Sequence, residues 1–246
     1  MFPSDSTPPH ELPPRRWCDV CGMLVLIDMP VTGDPNCANC GFPFRITRSD
    51  AMSQLSSFGG KLTFDQVGET WEVDLAGTSI NDQSLQVLLE LDALSELHLT
   101  NTSITDFCRD LIGRFCNLKV LELGGTRITD LTIAEIGFFH ELEVLGLEGT
   151  AITDESTPSL IRLNRLWCLD LDRTSISDVG LARLAPLKDL ELLYLSYTQV
   201  TDASIPLLAQ FQKLEELTLI GTSVTSAGVA HMRRQLPDCN ILGPAD

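Results

Sequence analysis

From Trp71 onward the chain repeats itself every 24 residues with no insertion. A period of that length demands stacked units, because one such unit is too small to bury its own apolar side. The units begin at Trp71, Ser95, Lys119, Glu143, Trp167, Glu191 and Glu215. Their first halves read WEVDLAGTSIND, SELHLTNTSITD, KVLELGGTRITD, EVLGLEGTAITD, WCLDLDRTSISD, ELLYLSYTQVTD and EELTLIGTSVTS. Each is followed by a second half with apolar residues at helical spacing.

In Leu118 to Ile128 the alternation of Leu121 and Leu123 marks a short strand with one buried face, and Val120 and Glu122 point the other way. Stacked strands of this kind make a parallel sheet, and Ile133, Ile136 and Phe139 suit a helix packed against it. The turn threonines Thr78, Thr102, Thr126, Thr150, Thr174, Thr198 and Thr222 stand where the chain leaves each strand. Buried hydroxyls there bond backbone groups of their own and adjacent turns, so the row is structural rather than a set of nucleophiles. Asp82, Asp106, Asp130, Asp154, Asp178 and Asp202, replaced by Ser226 in the last unit, fall where a helix N-cap is wanted.

The repeats resemble those of the leucine-rich-repeat family, in its 24-residue bacterial variety with an L-x-x-L-x-L-x-G-T-x-I-T-D signature, over residues 71–241. The segment Leu236-Pro-Asp-Cys-Asn-Ile241 is similar to the one that closes such arrays. The resemblance implies an α/β solenoid with a parallel sheet on its concave face and helices on its convex face. It also implies a non-enzymatic module that binds another macromolecule.

Ahead of the repeats, residues 1–16 are rich in proline and read as a flexible arm, with a polyproline docking peptide as the alternative. Residues 17–48 hold Cys18-x2-Cys21 and Cys37-x2-Cys40, a C-x2-C-x15-C-x2-C spacing that suits a tetrathiolate zinc ion. Four sulfurs close the coordination sphere, which makes the zinc structural. The module resembles a zinc ribbon or rubredoxin-like knuckle, with iron as the alternative metal, and residues 23–27 and 42–46 are its expected strands. Residues 49–70 are expected to be a linker and a capping helix, with Ser49 as cap, Ala51, Leu55 and Phe58 on one face, and Gly59-Gly60 as the stop. Cys108, Cys116, Cys168 and Cys239 lack paired spacing and are expected to be free thiols.

The net charge is −17, and residues 71–246 carry most of it, with 26 acidic against 12 basic residues. Such a surface repels a phosphate backbone, so nucleic acid is an unsuitable partner for the repeats. No run of about 18 apolar residues predicts a membrane span, and no secretory leader is recognisable, which leaves a cytoplasmic setting as the expectation. No phosphate loop, H-E-x-x-H or G-x-S-x-G motif points to catalysis or to a small-molecule substrate.

Within the surface made by the outward strand positions, Glu148, Asp170, Asp172 and Arg173 should neighbour Tyr194 and Tyr197, the two tyrosines of the chain. Aromatic rings beside charges are common anchors for protein recognition, and the acids suit a basic partner. The expected function is therefore a protein-interaction scaffold working through the solenoid face. The alternative is an adaptor whose ribbon contacts nucleic acid, or a complex bound to it, while the repeats recruit a protein.

Overall fold

The structure is a computed structural model that describes residues 15–17, 24–26, 48–66, 70–91 and 93–244. The chain divides into two units, residues 1–50 and 51–246. In the first, β1 (Arg15–Trp17) pairs antiparallel with β2 (Leu24–Leu26), which lies inside the expected strand 23–27. β1 takes in Arg15 and Arg16, a proline-free stretch at the end of the segment whose composition marks it as an arm. Beyond Pro14 the backbone again has the N–H groups that a ladder needs. Cys18, Cys21, Cys37 and Cys40, and the expected strand 42–46, lie outside the described residues.

Next comes α1 (Arg48–Ser57), with Ala51 and Leu55 fully buried and Phe58 half-buried beyond its end. The helix already includes Ser49, so that residue is not the cap its type suggested. It stops at Gly59, whose φ of +89° is open to a glycine, and the Gly60 N–H donates to the Leu55 carbonyl at 3.0 Å. A linker is the expectation after this helix. Instead β3 (Lys61–Phe64) runs antiparallel to β4 (Thr70–Asp74), with Lys61 opposite Asp74. A hairpin thus covers an edge that a purely parallel array would leave open.

From β4 the sheet is parallel and follows chain order through β5 (Glu96–His98), β6 (Val120–Glu122), β7 (Val144–Gly146), β8 (Cys168–Asp170), β9 (Leu192–Tyr194), β10 (Glu216–Thr218) and β11 (Asn240–Leu242). The constant period puts equivalent residues side by side, as in the row Glu72, Glu96, Val120, Val144, Cys168, Leu192 and Glu216. Val73 and the leucines at 97, 121, 145, 169, 193 and 217, together with Leu75 and the leucines at 99, 123, 147, 171, 195 and 219, are all fully buried. They form the two apolar rows that the alternation of Leu121 and Leu123 predicts.

The second halves turn back in short helices, a 3-10 helix over Ser84–Glu90 and α2 (Arg109–Ile112), α3 (Asp130–Ile136), α4 (Thr157–Leu160), α5 (Asp178–Arg183), α6 (Ile205–Leu208) and α7 (Ser226–Gln235). Ile133, Ile136 and Phe139 are buried as the spacing requires. Among the described residues no helix is long and apolar enough to cross a membrane.

Two rows of polar side chains run along the array. Each turn threonine donates its hydroxyl to the carbonyl three residues earlier in its own turn, at 2.6–2.8 Å. The aspartates differ from their expected role. The helical turns are capped by Thr105, Thr129, Thr153, Ser177, Thr201 and Thr225, each in extended conformation with its hydroxyl accepting a backbone N–H; Thr105, Thr153 and Thr201 cap the 3-10 turns Asp106–Cys108, Asp154–Ser156 and Asp202–Ser204 that lead into α2, α4 and α6. Asp106, Asp130, Asp154, Asp178 and Asp202 follow such a cap directly, so their carboxylates are free to reach sideways. Asp82 and these five each accept both the backbone N–H and the hydroxyl of the capping residue 23 positions on. The aspartate is therefore a rung between units rather than a cap within one.

Candidate docking face

The residues that alternate with the buried leucines form the open face of the sheet. Six positions into each unit comes the last of these, and the seventh turns the chain away from the face. At that seventh position Gly77, Asn101, Gly125, Gly149, Arg173, Tyr197 and Gly221 all have φ between 57° and 70°. This left-handed conformation costs a side chain with a Cβ on the order of 1 kcal/mol or more, and glycine or asparagine adopts it with least difficulty. Arg173 and Tyr197 are thus set apart from the other five residues of their row.

These two residues touch. The Arg173 guanidinium carbon lies 4.5 Å from the centre of the Tyr197 ring, and its Nε is 3.3 Å from Glu148 Oε1. On its other side the ring lies against Gly221, where a Cβ would come within 2.5 Å of it. Glu148, Arg173 and Tyr197 therefore form one connected line across neighbouring turns, with the tyrosine half exposed at 52%.

The other three expected residues stand deeper. Asp170 lies between Gly146 and Tyr194 in the sheet register, and its Oδ1 accepts the Asp172 N–H at 2.8 Å. Burial pushes its carboxyl up to about 6. The backbone bond opposes this, and the nearby charges of Asp172, Glu148 and Glu122 add to it. Asp172 accepts the Ser196 N–H at 2.5 Å and the Thr218 hydroxyl at 3.2 Å, so part of this carboxylate serves the scaffold. Burial raises it as well. Burial and the neighbouring Glu216 push the Tyr194 hydroxyl up to about 12, which keeps it a neutral donor.

Glu122 joins this group, although the sequence reading placed it only on the face and not in the patch. Its carboxyl folds over Gly146, where a Cβ would sit 1.6 Å from Oε2. Burial raises its pKa, while His98 opposes the shift. The signal lay in the pairing of a glutamate with a glycine at the same position of the next unit. Cys168 is also on this face, and burial followed by Glu122, Asp170 and Glu216 pushes its thiol up to about 12, so it stays protonated and a weak nucleophile. Cys108, Cys116 and Cys239 are free thiols too.

The face therefore places the carboxyls of Glu122 and Asp170 on either side of Gly146 in the register, with the Arg173 and Tyr197 pair on the adjoining turns. Arg173 is already paired with Glu148, which leaves Asp170 and Glu122 as acceptors for an incoming cation.

No family model matches the chain, and no curated protein matches it. Among solved structures it is similar to a leucine-rich-repeat protein of Leptospira interrogans, at 27% identity over 63% of this chain and 38% of that one, with a TM-score of 0.49. It is similar to internalin C2 of Listeria monocytogenes at 22% identity, covering 78% of this chain and 80% of that one, with a TM-score of 0.56. It is also similar to the leucine-rich-repeat ectodomain of the Arabidopsis receptor kinase HAESA, in complex with an extended IDA peptide hormone. There the identity is 19%, the coverage 78% of this chain and 38% of that one, and the TM-score 0.51. The chain thus spans well under half of the Leptospira and Arabidopsis proteins. The likeness to the internalin and the receptor shows the fold, that of a leucine-rich-repeat solenoid.

Proposed function

We propose that the open face of the repeats docks a protein partner through a basic segment, with Glu148, Asp170, Asp172, Arg173, Tyr194 and Tyr197 as its centre and Glu122 beside them. The observation that carries this is the left-handed backbone of Arg173 and Tyr197, where most other units use glycine. Such conformations persist where the side chain has a use that outweighs the strain, and they gather at binding sites. A tyrosine ring half open to solvent beside a guanidinium is a rigid anchor of the kind that protein interfaces favour. The carboxyls around Gly146 supply attraction for lysine or arginine. The HAESA ectodomain, of the same fold, is seen with a peptide hormone bound.

The proposal includes a structural zinc ion on Cys18, Cys21, Cys37 and Cys40, supported by their spacing alone. It makes the repeats, not the knuckle, the seat of partner recognition.

The test is fluorescence anisotropy with labelled peptides of matched length, one rich in lysine and one in glutamate. Wild type is expected to bind the lysine peptide, more weakly as salt is raised. Tyr197→Gly, which keeps the backbone conformation and removes the ring, should lose at least tenfold in affinity, and Asp170→Asn should also weaken binding. Equal affinity for the two peptides, or binding unchanged in Tyr197→Gly, would refute the proposal.

A further inference from the structure

At the other end of the open face, Glu72, Glu96 and His98 each offer one ligand atom, and the three atoms all lie within 4.8 Å of one another. Glu72 and Glu96 are register partners on β4 and β5, and like charges opposite one another on a sheet repel. His98 Nε2 is 3.9 Å from Glu72 Oε1 and 3.9 Å from Glu96 Oε2, too far for a hydrogen bond to either. Among the described residues no backbone or side-chain donor satisfies these two carboxylates. All three groups are partly sheltered, with side-chain exposures of 29%, 23% and 27%.

The neighbouring acids turn elsewhere. Asp74, beside His98 on β4, is 3.1 Å from the Lys61 ammonium and accepts the Ala76 N–H at 3.0 Å. Glu122, beside His98 on β6, lies over Gly146. Lys119 is close enough to lower the Glu96 carboxyl, but burial and Glu72 outweigh it and the net shift is upward.

We propose that Glu72, Glu96 and His98 form a binding site for a divalent metal ion, and that zinc is the ion their chemistry fits. One imidazole and two carboxylates are ordinary zinc ligands, and the imidazole favours zinc over magnesium or calcium. Around a tetrahedral ion with bonds of about 2.1 Å, ligand atoms stand about 3.4 Å apart. The pairs here are wider by roughly 0.5 to 1.4 Å, a gap that small side-chain rotations close. The ligands stand on adjacent strands, a rigid frame for a site. With three protein ligands the fourth position opens to solvent on the face, in contrast to the closed set expected for the four cysteines.

Calorimetric titration of the full chain with zinc tests this, using wild type, His98→Ala, Glu96→Gln and a Cys18→Ser, Cys21→Ser variant. The expected result is one equivalent of zinc that survives in the cysteine variant and binds at least tenfold more weakly in both His98→Ala and Glu96→Gln. Circular dichroism should be unchanged in those two. In wild type the imidazole proton resonance that is missing from His98→Ala should shift on adding zinc. Zinc uptake that is the same in wild type, His98→Ala and Glu96→Gln, or that vanishes altogether in the cysteine variant, would reduce the cluster to an ion pair and overturn the proposal.

Discussion

Asp106→Ala removes one rung of the ladder between units. Its carboxylate accepts the Thr129 N–H at 2.9 Å, the Thr129 hydroxyl at 2.7 Å and the Thr132 hydroxyl at 2.6 Å. Each lost hydroxyl bond costs about 0.5 kcal/mol, and the half-buried N–H costs more because it cannot rotate away. Leaving such a donor without a partner costs about 1–3 kcal/mol. The expected loss is therefore about 2–4 kcal/mol, which for a chain of this length lowers Tm by roughly 5–15 °C. Asp106→Asn keeps one acceptor and should lose less. Burial alone would raise the Asp106 carboxyl, but the hydrogen bonds from Thr132 and Thr129 outweigh it and hold the pKa below 3.8. A group depressed in the folded state stabilises it fully above the unfolded pKa, and that contribution disappears as pH falls through the folded value. Thermal melts followed by circular dichroism should therefore show the full difference between wild type and Asp106→Ala at pH 7, and a shrinking one below about pH 4. A difference under about 0.5 kcal/mol at pH 7, or one undiminished in strong acid, would refute the rung as an energetic link.

Asp170 should respond in the opposite sense. Its carboxyl is raised to about 6, so the folded state favours the protonated form and the charge becomes a burden as pH rises through that value. Asp170→Asn is expected to stabilise the protein at pH 7 by on the order of 1 kcal/mol while weakening the basic peptide, and to make little difference to Tm near pH 4. Cys37→Ser should release zinc, measured by a chromogenic chelator, and leave the circular-dichroism signal of the repeats in place; collapse of that signal would contradict a knuckle and an array that fold separately.

The array was legible because its period sets the register. Once 24 residues separate Leu121 from Leu145, every other residue of the unit is placed beside its counterpart, including the outward row that holds Glu122, Asp170 and Tyr194. The aspartate was misplaced because Thr129-Asp130 offers two good caps in succession, and sequence alone does not show that the first takes the role. The hairpin of β3 was hidden for a different reason: Lys61 to Phe64 is too short to show a clear alternation, and it lies beyond the repeat. Glu122 and the Glu72, Glu96 and His98 cluster were visible one by one as outward residues. Their convergence depends on side-chain directions, such as the lean of Glu122 over Gly146, which periodicity does not determine.

The 23-residue reach of each rung makes the array interchangeable in whole units. Excising residues 143–166 would bring Asp130 next to Ser177, which presents the same N–H and hydroxyl that Thr153 offers now. A duplicated unit would be received in the same way. Length can therefore change by copying or deletion without any new joint, and the breadth of the open face can change by one strand at a time while its neighbours keep their footing.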